Sequence, residues 1–70
     1  MNIGTVKWFD ARLGYGYIDP ADGSPQVFVH FTALDLAGLK TLVKGQIVRF
    51  QPSMEGGVLR ATRLVEAQAA

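Results

Sequence analysis

No cysteine occurs among the 70 residues. No disulfide can staple the chain, and no thiolate can ligate zinc. Histidine occurs once, at His30, and serine only twice, at Ser24 and Ser53, both read as turn residues. These offer no nucleophile with a base in reach. The carboxylates are scattered without metal-ligand spacing. The chain therefore reads as a non-enzyme with no cofactor, no metal and no small-molecule substrate. No apolar run is long enough to span a bilayer, and no charged-then-apolar leader precedes the first strand-like pattern. A cytoplasmic location is expected, with no membrane partner. Excess charge is also missing: seven Lys plus Arg against six Asp plus Glu leave +1. That balance does not by itself predict nucleic-acid binding. Residues 1–35 carry Lys7 and Arg12 against Asp10, Asp19, Asp22 and Asp35, net −2. Residues 36–70 carry Lys40, Lys44, Arg49, Arg60 and Arg63 against Glu55 and Glu66, net +3. Most of this asymmetry reads as solvated surface.

What is present is period-two patterning. The chain has the length of one domain, and one this small buries only ~60% of its unfolded surface. "NIGTVKWFD" is rich in β-branched and aromatic residues and reads as a strand. "ARLG" is a turn. "YGYID" is a second strand ended by Pro20, which cannot donate to a ladder. "PADGSP" is a hairpin loop with Asp-Gly at its tip. "QVFVHF" is a third strand. "TALDLAGLKTLVKG", interrupted by Gly38, predicts one short turn of helix and a long loop. "QIVRFQPS" is a fourth strand, with Ile47 and Arg49 expected on opposite faces. "MEGG" is a turn and "VLRATRLVE" a fifth strand. Five short strands favour a small closed barrel, which also removes exposed edges. Val6, Ile18, Val27, Val29, Ile47, Val48 and Leu64 are the main core candidates. Residues 1–66 form the domain, and 67–70 are expected to fray.

Four of the seven aromatics and the single histidine lie within "LGYGYIDPADGSPQVFVHF". In a strand, residues i and i+2 share a face. Tyr15 and Tyr17 then face one way and Ile18 the other. Phe28 and His30 share a face opposite Val27 and Val29. The aliphatic side is the natural core, so the aromatic side is left outside. Glycines flanking Tyr15 weaken a strand unless the barrel bends sharply there. An exposed aromatic cluster marks a binding surface, and flat rings suit unpaired bases. Trp8 resists the pattern. Simple alternation puts it on the side of Val6, and only a bulge in the first strand brings it round.

"GTVKWFD", "LGYGYI" and "VFVHF", in this order and spacing, resemble the bacterial cold-shock proteins, and "KTLVKGQIVRF" extends the likeness. It covers about residues 2–65. "GYGYI" corresponds to the first ribonucleoprotein motif and "VFVHF" to the second. The resemblance implies an all-β, five-stranded antiparallel OB-fold barrel that binds single-stranded RNA and DNA with low sequence selectivity. Such proteins act as RNA chaperones or as regulators of transcription or translation. Carried over position by position, Lys7, Trp8, Tyr15, Tyr17, Phe28, His30 and Phe31 fall on the family's binding face. Phe9 belongs to the same motif.

Several positions depart from the family pattern. Leu13 stands where Lys is usual, which removes a phosphate contact. Tyr15 and Tyr17 replace Phe and add hydroxyls. Asp10 replaces Asn, and Gln26 replaces Asp. Leu39 stands where an aromatic is common. A monomer is expected, with a dimer that buries the aromatic face as the alternative. The rival reading is a barrel that docks a protein on the same aromatic face.

Overall fold

The computed structural model describes residues 2–68 of the backbone and 2–65 of the side chains. The order is β1 (Asn2–Asp10), β2 (Tyr15–Pro20), β3 (Val27–His30), α1 (Phe31–Leu36), β4 (Ile47–Glu55) and β5 (Val58–Gln68). The strands close into a barrel in the order β1-β2-β3-β5-β4. The expected antiparallel set is modified at one seam. All pairings are antiparallel except β3 with β5, which is parallel and joined at Phe28 and Arg60. Closure requires this seam, because β4 and β5 form a long hairpin whose outer strand must return to β3. Ser53 lies in β4, not in a turn.

The core holds Val6, Ile18, Val27, Val29, Val48 and Leu64, as expected, together with Ala33, Leu34, Leu42, Phe50 and Ala61. Ile47 is a correction, being 38% exposed. Its strand reads exposed–buried–exposed–buried from Ile47 to Phe50. Period two therefore sends Val48 and Phe50 inward and puts Ile47 and Arg49 together outside, not on opposite faces.

The local rules are visible at the turns. Asp10 shapes the β1–β2 turn, its Oδ1 accepting from the amides of Arg12 (2.8 Å) and Leu13 (3.2 Å). Its backbone oxygen accepts from the Gly14 amide at 2.8 Å. Gly14 adopts φ +81°, which L side chains rarely tolerate. In the β2–β3 loop, the Ser24 hydroxyl and then its amide hold the Asp22 carboxyl below the usual carboxylate range. β5 runs on through 67 and 68, Gln68 facing Ile47, while 69 and 70 lie outside the described residues. Among the described residues no helix is long and apolar enough to cross a membrane.

Candidate nucleic-acid interface

The register of β1 slips by one residue between Val6 and Trp8. Val6 faces Ile18, Trp8 faces Tyr17, and Lys7 is the extra residue of the bulge. The loop before β4 holds Val6 in place. The Val6 amide donates to the Gln46 carbonyl at 2.9 Å, and the Gly45 amide donates to the Val6 carbonyl at 2.9 Å. Val6 is thereby buried while Trp8 is turned to the outer face, half-exposed.

Once Trp8 is outside, the rings form one connected row. Trp8 lies 5.5 Å, centroid to centroid, from both Tyr15 and Tyr17. Phe28 lies 5.5 Å from Tyr15 and 5.8 Å from Tyr17. His30 stacks on Phe28 at 6.3 Å and meets Phe31 at 4.3 Å. The β2–β3 register pairs Tyr15 with His30 and Tyr17 with Phe28, which fixes the order across the sheet. Mostly edge-to-face neighbours leave part of each ring open to solvent. Phe31 is 47% exposed.

The glycines keep this sheet close to its neighbours. A Cβ on Gly16 would collide with the Trp8 carbonyl oxygen and approach the Phe9 Cα at 2.7 Å. A Cβ on Gly14 would stand 2.8 Å from the Phe31 ring. The Phe31 amide donates to the Gly14 carbonyl at 2.9 Å, tying the last ring of the row to the first turn. Close approach to the β1 backbone is thus the local reason for Gly16, and the Phe31 ring together with a positive φ is the reason for Gly14.

His30 has a second task. It caps α1, its Nδ1 accepting from the Thr32 amide at 3.4 Å and lying 3.2 Å from the Thr32 hydroxyl. An accepting Nδ1 assigns the proton of the neutral ring to Nε2. Lys7 is exposed, and its Nζ donates to Gln26 Oε1 at 3.2 Å, so the Gln26 departure supplies this lysine's partner. Phe9 is half-buried and packs against the core. Leu39 likewise packs against the core, in a groove with Leu36, Thr62 and Leu64 that is separate from the aromatic row.

Residues that the sequence did not single out border the row. Glu55, Val58 and Arg60 line a groove with Tyr17, Phe28 and His30. Their proximity comes from the β3–β5 seam, which joins positions 32 residues apart and leaves no local signature.

A closed five-stranded barrel bearing this row places the chain among the small OB-type β-barrels. The family profile described as "'Cold-shock' DNA-binding domain" matches residues 2–67. The protein belongs to the cold-shock domain family, whose members are nucleic-acid-binding. It is 58% identical over 48 residues to "Cold shock-like protein CspC" of Shigella flexneri, covering 69% of this chain and 70% of that one. It is 52% identical over 50 residues to "Cold shock protein CspA" of Rhizobium meliloti, covering 71% and 72%. Against "Cold shock-like protein CspE" of Escherichia coli K12 the identity is 54% over 48 residues, covering 69% and 70%.

Proposed function

We propose that this protein binds single-stranded RNA and DNA with low sequence selectivity and acts as an RNA chaperone or as a regulator of transcription or translation. The supporting observation is the unbroken row of rings that runs from Trp8 across the outer face of β1–β3 to Phe31 at the start of α1. A strand of ~6–7 nucleotides lies across it, within the ~4–16 nucleotides typical of one OB fold. Bases stack on Trp8, Tyr17, Phe28, His30 and Phe31, and Lys7 meets a phosphate. The Tyr15 ring braces Trp8 and Phe28. Every base has a π-face, so stacking tolerates many sequences.

The mechanism is passive. A stacked base is unavailable for pairing, so occupancy shifts an RNA hairpin toward its open form in proportion to the affinity difference between the two forms. No covalent step and no nucleotide hydrolysis enter. The test is a dye-labelled RNA hairpin of marginal stability, titrated with the protein without ATP. Opening that saturates with protein supports the reading. A closed hairpin at saturating protein, with a matched unstructured strand equally ignored, overturns it and turns attention to a protein partner for the same face.

A further inference from the structure

The aromatic row continues past β3. A groove of about 490 Å³ is floored by Tyr17, Phe28 and His30 and walled by Glu55, Val58 and Arg60 of the β4–β5 hairpin. Arg60 is placed there by the backbone. It pairs with Phe28 across the parallel seam. Ala61, its neighbour, is buried in the core, so Arg60 projects to the outer face beside the Phe28 ring. Its guanidinium carbon lies 5.6 Å from the Phe28 centroid. Its Nη1 donates to Glu55 Oε1 at 3.4 Å, and both side chains are substantially exposed, 39% and 54%. A bond of that length between exposed groups is weak.

The arrangement is one of competition. The guanidinium occupies space over Phe28 that a stacked base needs. It is permanently charged and matches the geometry of a phosphate as well as that of a carboxylate. We propose that Arg60 is a phosphate-binding residue of the interface. When a base stacks on Phe28, Arg60 leaves Glu55 and takes a phosphate of the single strand. Glu55 is the competing anion that holds the guanidinium when the groove is empty. This inference rests on the stacking function proposed above, and it extends the interface from β1–β3 onto β5.

The test uses the full chain and an oligothymidine, read by Trp8 emission between 0.1 and 1 M salt, with circular dichroism as the folding control. Each phosphate contact on a single strand contributes ~0.7 to the slope of log K against log salt. Arg60→Gln should therefore make the slope shallower by ~0.7 and weaken binding ~5-fold at 0.1 M, converging on the wild type near 1 M. Arg60→Lys should keep the wild-type slope. Glu55→Gln should bind ~2- to 5-fold tighter, the size of the exposed pair it removes. An unchanged affinity and slope in Arg60→Gln overturns the proposal. So does tighter binding in that variant, which would make Arg60 a cover over Phe28. An unchanged Glu55→Gln removes the competing role of the carboxylate. Failure of the wild type itself to bind refutes the stacking function, and that outcome is distinct from all of these.

Discussion

Trp8 faces Tyr17 across β1 and β2, with their ring centroids 5.5 Å apart, although Val6, two residues earlier, faces Ile18 in the core. One inserted residue, Lys7, separates an inward-facing aliphatic from an outward-facing indole. The bulge therefore both completes the aromatic row and presents a cation at its edge.

Removing rings from the centre of the row should weaken binding without unfolding the barrel, because Tyr17 and Phe28 are only half-buried. Tyr17→Ala and Phe28→Ala are each expected to cost ~1–3 kcal/mol in oligonucleotide affinity. Isothermal titration with a seven-residue oligothymidine checks this. Wild-type affinity in both folded variants would remove stacking from the account.

Salt should matter little. Lys7 and Arg60 are the two cations assigned to phosphates, and two contacts on a single strand give a slope of about −1.4. Lys7→Gln should take away ~0.7 of it. A wild-type slope steeper than about −4 would mean that an electrostatic groove carries the binding.

Asp10 separates turn chemistry from charge. Its Oδ1 accepts from the amides of Arg12 and Leu13, and an asparagine amide oxygen can accept the same bonds. Asp10→Asn should leave thermal stability near wild type and tighten binding at most about twofold, and only at low salt, since an unscreened like charge ~10 Å from a phosphate would cost ~0.4 kcal/mol in water. Asp10→Ala loses the oxygen that accepts both bonds and should lower the melting temperature. Equal melting of the two variants would show that the side-chain bonds do not hold the turn.

Two internal positions govern stability. Phe50 is fully buried, and Phe50→Ala should cost ~3–5 kcal/mol. That is a large share of the ~4–10 kcal/mol available to a domain of this length. Gly16→Ala must push a Cβ into the Trp8 carbonyl and the Phe9 backbone, and overpacking of this kind costs ~1–3 kcal/mol. Urea denaturation checks both. A wild-type midpoint for Gly16→Ala would mean that β1 and β2 can separate freely.

Period-two patterning was legible where both faces of a strand carried a clear difference. Val27, Phe28, Val29 and His30 alternate without interruption, and the structure follows them. The short α1 and the loop after it were also readable, from Gly38 and from weak helical patterning. At β1 alternation failed, because a bulge is set by a distant partner: the Gly45 and Gln46 backbone that engages Val6. In β4 two adjacent aliphatics, Ile47 and Val48, competed for the core. The signal that decides between them is Phe50, two residues beyond Val48. Arg60 was out of reach, since a single parallel pairing brings it to Phe28. The reason for the glycines also differed from sharp bending alone. Gly16 is needed for close approach to β1, and Gly14 for a left-handed turn that leaves room for Phe31.

The most direct test uses Trp8, the only tryptophan, which stands within the row itself. Its emission is followed while a short oligothymidine, an oligoadenine and a duplex of matched length are added at two salt concentrations. Strong, saturable quenching by the single strands, little by the duplex, and weak dependence on salt are expected. Absence of quenching by any single strand, with the barrel folded, would contradict it.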